Sequence, residues 1–259
     1  MTTATLSETA AGARPAPPNR ILAVVRLYFV SPSTAIVVPW MILGFIFIVN
    51  LAIWAIIFSS VSSEADRADV QDGLSYSGAS FYIFVYMGIV AIQAINLAFP
   101  FSQGYSVTRR DFYLGTSLAF VLLSAGYAAG LTVLSVIEDA TNGWGFGGHM
   151  FTSVYFGTGP WWVRFGLFFT IFVFFLFLGM IFATVYVRWR ANGMLVLSAA
   201  ITVGLVALAA LVTFTDSWPA VGEWFVSTGV NGVIVWTLVP TGVSAVASYF
   251  VLRRATPRS

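Results

Sequence analysis

"AIVVPWMILGFIFIVNLAIWAIIF", residues 35–58, decides the class of fold. The run carries no charged side chain, and it exceeds the roughly 20 apolar residues that cross a bilayer as a helix. Its surroundings agree. The chain has 259 residues, of which 59% are hydrophobic and 8% charged. A soluble domain carries about 25% charged residues, so this is the composition of an integral membrane protein.

Five more runs of the same kind follow, at residues 79–99, 112–137, 163–187, 194–215 and 226–252. None alternates over roughly 10 residues as a membrane β-strand does. The expected fold is therefore all-α, with six transmembrane helices across residues 35–252. Residues 1–19 are rich in Ala, Thr and Pro and lack an apolar core, which predicts a disordered cytosolic tail. Residues 20–31 begin "RILAVVRLYFV", too short to span, and predict a helix lying at the inner surface. Ser31-Pro32-Ser33 should break the chain after it. Residues 253–259 form a second cytosolic tail.

Charge orients the spans. Arg14, Arg20 and Arg26 precede the first, Arg109 and Arg110 follow the second, and Arg188 and Arg190 follow the fourth. Arg253, Arg254 and Arg258 follow the sixth, leaving only Arg67 and Arg164 on the other side. Arginine excess marks the cytosolic side, so both termini are expected there. Glu64, Asp66, Asp69, Asp72, Glu138, Asp139, Asp216 and Glu223 fall outside. Residues 216–225, "DSWPAVGEWF", suit an outer elbow before the sixth span. The location this implies is the plasma membrane, and the arginine and alanine usage points to a bacterial source.

Composition also excludes functions. There is no cysteine, one histidine (His149) and no lysine among the 12 basic residues. A Walker A loop needs its lysine on the nucleotide phosphates, so that motif is absent. No Asp, Glu, Lys, Arg or His lies mid-span, which argues against proton relays and ion-coupled transport. An intramembrane hydrolase lacks a nucleophile–base pair, and His149 reads as a solvated loop residue. No cofactor is expected in this chain, and no nucleic-acid partner.

Several spans carry polar or small faces. Tyr82, Tyr86, Gln93 and Asn96 share an arc of about 80° on the second. Such groups face protein or a cavity, because lipid offers no hydrogen-bond partner. The third has Ser117, Ser124, Ala128 and Ser135 on one face and Gly115, Gly126 and Gly130 opposite, so both faces should pack. The fourth is ringed by Phe165, Phe168, Phe169, Phe172, Phe174, Phe175, Phe177 and Phe182, most of which are expected to meet lipid. Ser198, Thr202 and Thr213 mark one side of an Ala- and Gly-rich fifth span that suits helix–helix or dimer contact. Pro240 should kink the sixth, with Asn231, Thr237 and Thr241 near the freed carbonyls.

Between the second and third spans lies "FPFSQGYSVTRRDFYLG", residues 99–115. Pro100 should end one helix. Thr108 with Asp111 three residues on is a capping pattern that starts the next. Arg109 and Arg110 then sit at the positive end of that helix dipole, at a cost of about 0.3–1 kcal/mol each. Lipid phosphates or an acidic partner would offset it. The segment Gly104-Tyr105-Ser106-Val107-Thr108-Arg109-Arg110-Asp111-Phe112 resembles the "G-x-T-R-R-x-F" pattern of bacterial type 2 ABC exporter permeases. Six spans, a surface helix before the first and an outer elbow before the sixth are also similar to that family. The resemblance implies that this loop couples to a cytosolic ABC ATPase through Phe101, Gln103, Tyr105, Thr108, Arg109, Arg110, Asp111 and Phe112. It implies that ATP and Mg sit on that separate chain, and that a second copy or a homologous permease completes the membrane unit. The expected activity is export of a hydrophobic or amphipathic substrate, with Tyr82, Tyr86, Gln93, Asn96, Ser198 and Thr202 as its candidate path. The alternatives are an ion-independent secondary transporter or channel, and a non-transporting membrane scaffold.

Overall fold

The computed structural model describes residues 19–30, 33–61, 63–104, 107–156 and 159–254. The expected tails at 1–19 and 253–259 lie outside these apart from Asn19, Arg253 and Arg254, as does the expected break at residues 31 and 32.

Seven α-helices make up the described fold: α1 (Arg20–Phe29), α2 (Val38–Ser60), α3 (Glu64–Leu74), α4 (Phe81–Gly104), α5 (Arg109–Ala140), α6 (Trp161–Phe214) and α7 (Trp218–Arg253). Five helical stretches are long and apolar enough to cross a membrane: Ser33–Ser60, Phe81–Gly104, Arg109–Ala140, Trp161–Phe214 and Trp218–Arg253. The chain is an all-α, multi-pass membrane protein. Its core lies where α4, α5 and the first half of α6 pack together, with α1 laid against α5.

Two of the long helices are broken. Within α6, Arg190 has φ 58° and ψ −146°, a conformation outside any helix. The chain turns sharply there. A Cβ on Gly193 would lie 3.2 Å from the Val185 side chain, whereas eight residues of straight helix rise about 12 Å. Within α7 the break falls at Gly229, with φ 59° and ψ −170°. That is a backbone that glycine alone adopts freely, and it separates the Trp-bearing segment that begins at Trp218 from the rest. Pro240 interrupts no helical φ/ψ. Around it Thr237 donates to Val233 O at 2.7 Å and Thr241 to Thr237 O at 2.8 Å.

Prolines elsewhere show how freed carbonyls are satisfied. Pro39, near the start of α2, has no N–H to give the carbonyl four residues back. That carbonyl, Ala35 O, instead accepts the Tyr127 hydroxyl at 2.7 Å. The Tyr127 ring stacks on Trp40 at 5.5 Å. Pro100, expected to end its helix, does not: α4 continues through it to Gly104. Ser102, two residues further on, donates to Phe99 O at 2.8 Å, a bond separate from the Asn96 carbonyl that Pro100 leaves without its N–H.

Small residues set the closest approaches. Gly115 meets Val24 and Ile21 of α1, and Gly130 meets the Trp40 ring. Ser124, Ala128 and Ser135 are fully buried on the other face of α5, so both faces pack as expected, while nothing approaches Gly126. The phenylalanines of α6 divide between the core and the surface. Phe168, Phe172 and Phe177 are buried, and the other five are half-buried. The first half of α6 lies between α4 and α5, so aromatic bulk on several faces fills the core. Phe84 alone stacks with Phe168 and Phe175 and meets Phe172 at a tilt.

The molecule is polarised. One end gathers α1, the α4–α5 connection and the C-terminus of α7, joined by Tyr28–Thr116 and Arg109–Arg253 hydrogen bonds. The other end gathers α3, the end of α5 and the segment at residues 141–156, which folds as a cap. Its anchor is Glu138, 0% exposed. The Glu138 carboxylate accepts from Thr152 Oγ1 at 2.6 Å, Thr152 N at 2.8 Å, Trp144 Nε1 at 2.8 Å, Phe151 N at 3.0 Å and Met150 N at 3.1 Å. Gly143, Gly145 and Gly147, with Asn142 and Trp144, take positive φ to turn the chain back to it. Thr152 spends its only proton on Glu138, so His149 Nδ1 donates to Thr152 Oγ1 at 2.8 Å. His149 is therefore a half-buried member of the cap and not a solvated residue. Beside it, Arg164 pairs with Asp139 and ties the start of α6 to the end of α5.

Two predictions follow from these contacts. A Cβ on Gly179 would lie 2.3 Å from Gly88 O and 2.8 Å from Ala91. Gly179→Ala should therefore destabilise the purified protein by about 1–3 kcal/mol in thermal or detergent unfolding, while Gly126→Ala should change little. Glu138→Gln faces an amide NH₂ towards N–H donors, at a cost of about 3 kcal/mol. Hydrogen exchange should then show Met150, Phe151 and Thr152 amides losing about 100-fold of their protection.

Candidate functional site

The arginine-bearing end holds most of the candidate residues. Eight of the ten arginines among the described residues gather there: Arg20, Arg26, Arg109, Arg110, Arg188, Arg190, Arg253 and Arg254. Their local structure explains the loop at residues 101–112. Thr108 has extended backbone and its hydroxyl accepts Asp111 N at 3.1 Å, so it caps α5 as its sequence suggests. Val107 N donates to Ser102 O at 3.2 Å and Gln103 Nε2 to Val107 O at 3.3 Å, closing the turn. Tyr105 lies outside the described residues.

The side chains of this loop divide into two sets. Phe112 is 0% exposed and meets Phe99 edge-on at 5.3 Å, so it anchors the loop from beneath. Phe101, Thr108 and Arg110 are exposed, and Gln103, Arg109 and Asp111 are half-buried. Arg109 has a partner that the sequence does not announce. Its guanidinium donates to Arg253 O at 2.9 Å, at the C-terminal end of α7. A cation there meets the negative end of a helix dipole. The cost of placing Arg109 at the start of α5 is thus offset within the chain. Arg110 has no ion pair among the described residues.

The candidate path is less unified. The rings of Tyr82 and Tyr86 lie 5.4 Å apart on α4. The Tyr82 hydroxyl and Asn96 Oδ1 are shielded, with no hydrogen-bond partner among the described residues. Gln93 opens into a cavity of about 400 Å³ between α1, α4 and α5, whose walls include Tyr28, Leu97, Phe101 and Phe120. Ser198 and Thr202 do not line it; they are exposed on the second half of α6. No residue from Tyr186 to Pro240 is buried.

A second cavity, of about 570 Å³, surrounds the α6 turn and is lined by Arg188, Trp189, Arg190 and Asn192 among others. Arg188 lies over the Trp189 ring at 4.4 Å. On α1, burial pushes the Tyr28 hydroxyl well above its ordinary pKa, against a smaller opposing effect of its bond to Thr116. It is a neutral hydrogen-bonding group that fixes α1 on α5. No protein-family model, curated protein or solved structure matches the chain.

The Arg190 backbone carries the site's own prediction. That region of φ/ψ is essentially glycine-only and costs another residue about 1–3 kcal/mol. Arg190→Gly should raise the unfolding free energy by about 1 kcal/mol, whereas Arg190→Ala, still strained, should not. Thermal unfolding of the purified variants measures this.

Proposed function

We propose that this chain is the membrane subunit of an ATP-driven exporter, moving a hydrophobic or amphipathic substrate across the plasma membrane. Two membrane subunits, as copies or homologues, work with separate cytosolic ATPases that hold ATP and Mg. The observation that carries the reading is the arginine-bearing connection between α4 and α5. It is short, capped by Thr108, held from below by Phe112 and braced against α7 by Arg109. A loop so anchored transmits a push to two membrane helices at once, which an energy-coupling element requires.

Other features support it. A straight α6 of 54 residues would reach about 80 Å, against a hydrocarbon core of about 30 Å. On this reading α6 crosses twice, turning at Arg190, and the chain has six spans with both ends on the arginine-rich, cytosolic side. The break at Gly229 makes the segment before it an outer elbow. The unburied stretch from Tyr186 to Pro240 offers a face to a second membrane subunit, and Ser198 and Thr202 would reach the substrate path across that contact. The spans hold no mid-membrane Asp, Glu, Lys, Arg or His to couple an ion gradient, which favours an external engine.

Exchange of charge at the exposed arginine tests the coupling. Arg110→Glu, alone and with Arg109→Glu, should abolish co-purification of the ATPase and substrate-stimulated ATP hydrolysis. Both variants retaining full ATPase association and coupled hydrolysis would remove the loop from that role. Arg110→Glu leaves the Arg109–Arg253 contact in place, so its effect reports docking and not a disturbed α7.

A further inference from the structure

The start of α5 and the end of α7 enclose a feature that the coupling role does not use. Arg109, Arg110, Arg253 and Tyr249 line a cavity of about 310 Å³ at the arginine-rich end. That is room for about ten waters. Its lining residues are three arginines and one tyrosine, all able to donate hydrogen bonds and none of them acidic. Asp111, the acid nearest in sequence, does not line it, and none of the three arginines has an ion pair among the described residues. Three like charges around one cavity repel one another unless an anion joins them.

The geometry is held in place. Arg109 is fixed by its bond to Arg253 O, which also brings the Arg253 backbone to the cavity edge. Tyr249 packs edge-on against Tyr113 at 5.2 Å, and the Tyr113 hydroxyl donates to Ala245 O at 2.9 Å, one turn before Tyr249 on α7. The walls are therefore set by α5–α7 packing and not by the loop alone. Guanidinium forks match the oxygens of a phosphate in bidentate fashion. The start of α5 adds the positive end of its dipole, while Arg109 caps the carbonyl of Arg253 at the negative end of α7.

We infer that this cavity binds a phosphate group, carried by an anionic lipid headgroup or by a free phosphate. The inference does not depend on the ATPase reading. The test centres on Arg253, which lies outside residues 101–112. The purified full chain, delipidated in detergent, is titrated with dioleoyl phosphatidic acid, dioleoyl phosphatidylcholine or inorganic phosphate. Binding is read by native mass spectrometry and by the melting shift of the intrinsic tryptophans. Phosphatidic acid should bind the native chain in preference to phosphatidylcholine, and Arg253→Gln should weaken it about fivefold, the effect of one arginine near a headgroup. Arg254→Gln, outside the cavity, should leave it unchanged.

Inorganic phosphate at millimolar concentration should separate the sources. Displacement of the lipid, with the same dependence on Arg253, assigns the site to free phosphate, and no displacement assigns it to the headgroup. Should Arg253→Gln melt before titration, Arg253→Lys and Tyr249→Phe replace it, each expected to weaken binding about two- to fivefold. Equal binding by Arg253→Gln and Arg254→Gln, or no binding of either anion, overturns the site. So does a dependence on Arg253 seen only with an acidic segment of the ATPase. Loss of phosphate binding with ATPase association intact would separate this site from the coupling loop.

Discussion

A single buried carboxylate closes one end of this protein. Glu138 has no solvent around it and five donors from the cap pointed at it. An isolated buried charge is costly, and a carboxylate with its lone pairs filled by N–H and O–H groups is not. The cap in turn covers the ends of the core helices: Trp54 of α2 packs on Gly148, and Ser80, just before α4, donates to Met150 O at 2.9 Å. Take away the negative charge and the cap loses the group its glycines are bent to reach. The packing of α2, α4 and α5 at that end then loses its lid.

Along the rest of the molecule the same rule holds with the signs exchanged. In hydrocarbon a backbone carbonyl needs a partner from within the protein. Proline withdraws one at Ala35, and Tyr127 supplies it. The last turn of α7 leaves carbonyls open, and Arg109 supplies one of them. Both donors come from α5, which carries Glu138 as well. The third span is thus the post on which the two ends are fastened, and a displacement of the loop before it reaches α7 directly. This makes the α4–α5 connection mechanically suited to relay a cytosolic motion, as proposed for it.

How far the sequence revealed this differs from residue to residue. The membrane class is plain in residues 35–58, because length and apolarity suffice. Thr108 and Asp111 were legible as a cap because three-residue spacing is local information. The glycines of α5 were legible as contact faces, since helical periodicity places them. Other features depend on partners far along the chain. Arg109 seemed to report an outside partner because Arg253 stands 144 positions away. Glu138 read as one more outer acid, although Gly143, Gly145 and Gly147 after it hinted at a chain folding back. Which of the α6 phenylalanines are the buried three, Phe168, Phe172 and Phe177, was not legible, because apolar side chains look alike whether they meet lipid or core. The helix α3 carries no apolar run, and its acids mark only the side of the membrane on which it lies. What covers the exposed stretch at residues 186–240 leaves no mark in periodicity, since a protein face and lipid both favour apolar side chains.

The proposed function requires that the arginine-rich end face the cytosol, where an ATPase could meet it. The chain has no cysteine, so a single introduced thiol reports its own location without background. Val154 of the cap and Ala191 at the α6 turn are both exposed, and each can be replaced by cysteine in turn. Labelling of intact cells with a membrane-impermeant maleimide is the direct measurement. Val154→Cys should label in intact cells, and Ala191→Cys only after permeabilisation. The reverse pattern, or labelling of both in intact cells, would contradict a cytosolic engine at this end and, with it, the exporter reading.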